Sequence, residues 1–416
     1  MRIVYLNPCG RLGGAETSLR ELLASVRVAE PEWELWLVLG EDGPLADRAR
    51  EIGVQVMVLA FPVALARLGD ARSRFWVTLV SLLKGIWSTA LYSRRLARTI
   101  RRIAPEIIHT NGFKMHLLGA WVRPRGTALV WHIHDYVGSR RLMSRLLRLF
   151  VKCCTVVIAN SRSVASDLRA ILPTARIVPI YNAVDLNRFT PQGTNLDLDE
   201  IAQLSAAPEG TVRVGLLATF ARWKGHKVFL QAMSRLSSVP LVRGYVIGGP
   251  IYQTDGSQWS MRELQEEANR LGLAERVGFT GFLENTPSAM RSLDILVHAS
   301  TEPEPFGMVI IEGMACGKPV IASRAGGACE LFVDGEDALA HSPGDAQALA
   351  DQIRRLVSDE RLRHTLGRAG RATAERMFHR TRLAGELLKV YREIGNPSPE
   401  ARLEAAVESS ISTATK

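Results

Sequence analysis

Short apolar runs rich in β-branched residues recur in the first half of the chain, at 2–7, 34–39, 54–59, 106–110, 127–132 and 155–159. The stretches between them carry apolar residues at helical spacing. The same alternation restarts at 211–217 and continues through 242–247, 276–280, 295–298 and 319–322. Alternation of this kind predicts parallel sheets with right-handed helical crossovers. Between the two series lies a polar stretch containing Thr190-Pro191-Gln192-Gly193 and Ala206-Ala207-Pro208-Glu209-Gly210, which reads as a boundary. The expected architecture is therefore α/β: two doubly wound, Rossmann-like domains at 1–187 and 211–379, joined by a linker at 188–210. From residue 396 the chain is Pro, Glu, Ser, Thr and Ala without periodicity, and is expected to be a flexible tail.

Composition sharpens this picture in two places. The chain has 416 residues, long for one domain, and its five cysteines include no C-x2-C pair, so a zinc or redox motif is not expected. The opening residues run straight into a strand without the apolar core and cleavage site of a signal peptide, so the expected location is cytoplasmic. The net charge is +10, and much of it sits in 61–105, where Arg67, Arg72, Arg74, Lys84, Arg94, Arg95, Arg98, Arg101 and Arg102 face the single Asp70. Lys84 interrupts the apolar run 75–87, which is poorly suited to span a bilayer and better suited to lie on an anionic surface as an amphipathic helix. A second basic run, Arg140, Arg141, Arg145, Arg148 and Lys152, alternates with Leu142, Met143, Leu146, Leu147 and Phe150 at helical spacing. These segments read either as a docking face for the acidic inner leaflet of the plasma membrane or as core helices with solvated basic faces. Nucleic acid is disfavoured, because aromatic residues are not interleaved for base stacking.

Doubly wound domains bind ligands at the carboxyl ends of their strands. After the first strand comes Pro8-Cys9-Gly10-Arg11-Leu12-Gly13-Gly14-Ala15-Glu16, where Gly13 and Gly14 would let a ligand approach the backbone; tight packing is the competing explanation. The loop lacks G-x-G-x-x-G spacing, against an ordinary dinucleotide site. In the second half, Glu304 and Glu312 are separated by seven residues around Phe306-Gly307-Met308-Val309. A helix starting near Gly307 would aim its first amides at the strand-end crevice, suiting a diphosphate, and Glu312 could accept the two hydroxyls of a ribose. The plainer alternative makes Glu304 a helix cap and Glu312 an exposed helical residue.

Taken in order, Gly13-Gly14-Ala15-Glu16, Asn182-Ala183-Val184-Asp185, Lys224-Gly225-His226, the Glu304-to-Glu312 segment and Ala325-Gly326-Gly327-Ala328-Cys329-Glu330 resemble the motifs of the retaining family-4 glycosyltransferases of GT-B fold. The resemblance implies two domains facing a central cleft, with a helix at 380–395 crossing back to the first. It implies sugar transfer from a UDP- or GDP-type donor with retained anomeric configuration, to a hydroxyl of a glycan or lipid-linked acceptor in cell-surface polysaccharide or glycolipid synthesis. No metal and no cofactor are expected, the nucleotide-sugar being a substrate. A nucleotide-sugar epimerase of the same fold is the alternative.

Carried over by residue, the resemblance gives His134, Lys224 and Glu304 catalytic roles. It assigns the donor to Gly14, Arg222, Lys224, Phe306, Gly307, Met308, Val309 and Glu312, and the acceptor side to Gly13, Gly14 and His132. The chain departs from the family at 218–219, where Ala-Thr stands in place of Gly-Arg, and Arg222 is the proposed substitute. The family also has a sugar-contacting histidine at the end of the fifth strand. Either His132 or His134 of Trp131-His132-Ile133-His134-Asp135 fits, since both lie on one strand face, and His134, beside Asp135, is favoured. His109 resembles a structural histidine of the family.

Overall fold

The computed structural model describes residues 1–62, 79–250 and 257–395. The expectations placed on 63–78, including Arg67, Arg72, Arg74 and the start of the apolar run, and on the tail 396–416 lie outside the described residues.

The chain divides into two compact units. The first contains residues 1–159 and 165–180 and the chain from Thr381 onward; the second contains 160–164 and 181–380. In the first unit the described strands are β1 (Arg2–Asn7), β2 (Glu34–Leu39), β3 (Gln55–Val58), β4 (Ile107–Asn111), β5 (Ala128–Ile133), β6 (Val156–Ala159) and β7 (Ile177–Pro179). They form a parallel sheet in the order β3-β2-β1-β4-β5-β6-β7. The second unit's sheet has the order β10-β9-β8-β11-β12-β13, from β8 (Val212–Leu217), β9 (Val242–Ile247), β10 (Val277–Gly281), β11 (Ile295–His298), β12 (Val320–Ser323) and β13 (Leu339–His341), again parallel throughout. Central strands are buried on both faces: Ile3, Val4, Tyr5 and Leu6 of β1 are wholly inaccessible. This is why they read as continuous apolar runs rather than as alternation.

Strand order reverses direction beside β1 and β4 in one sheet and beside β8 and β11 in the other, and the carboxyl ends of such pairs are where doubly wound folds place their ligands. Two strands went unpredicted. β7 and β13 are three-residue edge strands, too short to show a period, and are held by pairing with β6 and β12.

The expected linker at 188–210 is corrected by the packing. The chain passes from the first unit to the second after Ile180, not at 187, and the polar stretch belongs to the second unit. Phe189 and Leu198 are buried in that unit's core. The turn Leu198–Ile201 is capped by Asp197, which accepts from the amides of Asp199 and Glu200. Asp199 then accepts from Tyr245 and Arg243, both at 2.6 Å. Polarity suggested a loose tether; the polar groups instead pin the segment to β9.

The helix Arg380–Gly395 packs into the first unit from Thr381 on, with Leu387 and Tyr391 inaccessible. Glu393 pairs with Arg176 at 2.7 Å and Arg392 with Glu30.

Candidate active site

In the second unit the crevice beside β8 and β11 is built from two loops stitched together. After β8 the chain makes a tight turn at Arg222–Lys224 and passes through Gly225, whose φ is +78°. A Cβ on Gly225 would lie 1.8 Å from the Ala299 carbonyl oxygen, so glycine permits the β8 loop to lie directly on the β11 loop. The Thr301 amide donates to the Trp223 carbonyl at 2.7 Å, closing the seam. The Lys224 ammonium is thereby delivered to the Glu304 carboxylate, Nζ to Oε2 at 2.7 Å.

Glu304 is buried, and its Oε2 also accepts from the Ser300 hydroxyl at 2.7 Å and lies 3.1 Å from His298 Nε2. The Ser323 amide donates to His298 Nδ1 at 3.3 Å, so Nδ1 accepts and the ring proton lies on Nε2, facing Glu304. Burial alone would raise the Glu304 pKa, but the Lys224 charge and the His298 hydrogen bond hold it well below the usual carboxylate range. The result is an ionised carboxylate with an ammonium at the mouth of the crevice.

The backbone around Glu304 is fixed from the far side. Its carbonyl accepts from the Gly327 amide at 2.7 Å, and a Cβ on Gly327 would sit 2.0 Å from the Pro305 oxygen. The double-glycine element therefore serves close backbone packing under the site. Phe306 is buried beneath Gly307, which takes the left-handed conformation (φ +101°) and opens the helix Met308–Ala315. The first amides of that helix, at Met308 and Val309, have no acceptor within the helix. Glu312 is half-buried one turn further along.

The sequence reading missed His298 and Ser300. Both sit at or just past the carboxyl end of β11, and a polar residue ending a buried apolar strand was the available signal. It also gave no role to Glu330, whose carboxylate accepts from the Arg162 and Ser163 amides at 2.8 and 2.7 Å and from the Tyr181 hydroxyl at 2.8 Å. Arg222 is exposed, its guanidinium stacked over Trp259 at 3.7 Å from the ring centre and 3.4 Å from Glu263.

In the first unit, Gly13 precedes the helix Gly14–Ala29 and its amide donates to Glu16. A Cβ on Gly14 would meet nothing within 4 Å among the described residues, whereas one on Gly10 would strike the backbone of Asp42 and Gly43 at 2.6 Å. Packing therefore demands glycine at 10 and leaves space above 14. His132 is buried at the end of β5, and His134 is half-buried with its ring 4.0 Å from that of His132. Burial holds His134 down to about 4, so it is neutral at neutral pH.

The second unit thus brings an ammonium, a buried carboxylate and a helix start together at the carboxyl ends of β8 and β11. The comparisons give this arrangement its family. Residues 198–373 match the model of glycosyl transferases group 1, and residues 43–188 that of glycosyltransferase family 4. The chain is 30% identical over 278 residues to the lipopolysaccharide core biosynthesis glycosyltransferase LpsE of Rhizobium meliloti, covering 67% of this chain and 76% of that protein. It is also 30% identical over 319 residues to the GDP-mannose-dependent alpha-(1-6)-phosphatidylinositol monomannoside mannosyltransferase of Mycolicibacterium smegmatis, covering 71% and 80%. Among solved structures, Anabaena HepE in complex with UDP and glucose superimposes with a TM-score of 0.76 at 26% identity, over 94% of this chain and 99% of that one. The chain belongs to glycosyltransferase family 4 and has the GT-B fold.

Proposed function

We propose that the protein transfers a sugar from a UDP- or GDP-sugar to a hydroxyl of a glycan or lipid-linked acceptor, with retention of anomeric configuration and without a metal or cofactor. The observation that carries this reading is the Lys224–Glu304 pair set against the start of the helix Met308–Ala315. Breaking the anomeric bond leaves positive charge on the sugar and negative charge on the departing diphosphate. Lys224 and the amides of Met308 and Val309 would stabilise the diphosphate, Glu304 would orient the sugar, and Glu312 would accept from the ribose. The first unit would bind the acceptor through Gly13, Gly14 and His132 and offer His134 to the transferred sugar, with the acceptor hydroxyl attacking the face that the phosphate leaves. Support for the donor class comes from similarity to HepE, solved with UDP-glucose, and to the GDP-mannose-dependent mannosyltransferase.

The test is incubation with UDP- and GDP-sugars in the presence and absence of candidate acceptors, with a chelator added. Nucleoside diphosphate released only when acceptor is present supports transfer. An altered donor sugar without release supports the epimerase instead, and loss of activity with chelator defeats the metal-free mechanism.

A docking face for an acidic, cytoplasmic membrane surface is part of the same proposal. No helix among the described residues is long and apolar enough to cross a membrane. In the first unit the helix Leu79–Ile103 packs on Phe113–Val122, which packs on Arg141–Phe150. These three helices expose Trp87, Trp121, Leu142 and Leu149, each more than 70% accessible, among Arg94, Arg95, Arg98, Arg141 and Arg145. Large exposed apolar side chains amid arginines fit an interfacial helix face better than a solvated one. Co-sedimentation with anionic vesicles is expected to be strong at low salt and to weaken as salt rises, while neutral vesicles bind less. Absence of binding to either would return these helices to the solvated-face reading.

A further inference from the structure

Beneath His134 the first unit holds a column of buried polar groups, of which the reading above uses only His132. Tyr391, from the helix Arg380–Gly395, places its hydroxyl 2.7 Å from His109 Nδ1. His109 Nε2 lies 3.2 Å from His132 Nδ1. The His134 ring then packs on the His132 ring, centres 4.0 Å apart and tilted by 36°. Tyr391 and His109 are wholly inaccessible and His132 is 3% exposed, so the column is shielded from bulk solvent and loss of a partner is costly. His132 Nε2 has no hydrogen-bond partner among the described residues. Burial, with His134 close by, pushes His109 down to about 3, and burial likewise places His132 well below its ordinary value, so both rings are neutral.

Neutral rings make the column directional. Each shared contact needs one proton and one lone pair. If Tyr391 donates to His109 Nδ1, then His109 carries its proton on Nε2 and gives it to His132 Nδ1, leaving the His132 proton also on Nε2. If Tyr391 accepts, both rings carry the proton on Nδ1. Mixed tautomers would set two protons or two lone pairs face to face in a buried space. The two imidazoles must therefore share one tautomer, and Tyr391 sets the boundary condition at the closed end.

We propose that Tyr391, acting through His109 and His132, is a positioning residue for His134: the hydroxyl–imidazole–imidazole chain fixes the tautomer and orientation of the ring on which His134 rests. This rests on the reading of His134 as the sugar-facing histidine. The C-terminal helix would thus take part in shaping the reactive end of β5, since small misplacement of a reacting group costs up to about 10²-fold in rate.

The tautomers of His109 and His132 are read from ring ¹⁵N chemical shifts in the wild-type protein and in Tyr391→Phe, which keeps the ring and removes the hydroxyl. The expected result is one tautomer shared by both rings in wild type, altered His132 signals in Tyr391→Phe, and a kcat lowered about 10- to 100-fold with donor KM unchanged. Glu393→Ala, on the same helix but in an exposed pair, is expected to retain wild-type kcat. Opposite tautomers in the wild type would overturn the proposal, and that measurement decides even if Tyr391→Phe fails to fold. So would a folded Tyr391→Phe with unchanged His132 signals and full kcat. Full transfer by His134→Ala would instead remove the sugar-contact reading of His134, and the positioning role with it, whatever the tautomers.

Discussion

Lys224→Ala is expected to lower turnover by about 10²- to 10³-fold, the range seen when one fixed stabiliser of developing charge is removed. Glu312→Ala is expected to act differently, weakening nucleotide binding more than turnover, because a ribose contact serves ground state and transition state alike. The Lys224 effect has a second component. Glu304 is buried, and its carboxylate stays ionised because Lys224 and His298 outweigh the cost of burial. Without the ammonium a buried charge loses its partner, a change that costs about 3–5 kcal/mol in comparable pairs.

The variant should relieve that cost by taking up a proton, so the Glu304 pKa should rise. In the wild type the depressed pKa contributes stability that is present above the ordinary glutamate value and is lost as pH falls through the folded value. Lys224→Ala should lack that contribution, and with the Glu304 pKa raised above the ordinary glutamate value the sign reverses: the variant should lose stability as pH rises from the ordinary value through the raised one. Thermal unfolding against pH, alongside steady-state kinetics, reads both effects. Wild-type kinetics in both Lys224→Ala and Glu312→Ala would remove the site assignment.

Gly225→Ala is expected to damage the fold of the site rather than its charge. The substitution forces a left-handed conformation on an L-residue, costing about 1–2 kcal/mol. It also drives a methyl group into the Ala299 carbonyl, 1.8 Å away, where overpacking costs about 1–3 kcal/mol. A loss of about 2–5 kcal/mol should follow, together with loss of turnover, because the loop carrying Lys224 can no longer lie against the loop leading to Glu304. Gly14→Ala is the contrast: its Cβ meets nothing among the described residues, so stability should stay within about 0.5 kcal/mol of wild type. Equal stability of Gly225→Ala and wild type in chemical denaturation would contradict the stitched-loop geometry.

The parts of this structure visible in the sequence are those whose physics is local. A central parallel strand buries both faces, so 2–7, 34–39 and 242–247 stand out as apolar runs and match β1, β2 and β9 in extent. Glu304 and Glu312 stood out by their spacing around a helix start, which is local, whereas Lys224 was picked out only by resemblance to a family motif; the fold brings Lys224 and Glu304 together. What escaped was set by topology. β7 and β13 exist only through their neighbours. The polar segment at 188–210 resembled a tether until Asp199 met Arg243 and Tyr245, more than forty positions away. His298 and Ser300 acquire meaning only when β11 is set beside β8. His109 looked structural from its own surroundings, and Tyr391, some 282 positions further along, is what links it to His132.

The central claim is that the Lys224–Glu304 crevice supports transfer of a sugar from a nucleotide donor with retention. The most direct measurement is proton NMR of the product as it first forms from an α-linked UDP- or GDP-sugar and an accepted acceptor, followed alongside nucleoside diphosphate release. The account predicts an α-linked product appearing in step with released nucleoside diphosphate in the wild type, with both signals suppressed in Lys224→Ala. A β-linked product, or undiminished transfer by Lys224→Ala, would contradict it.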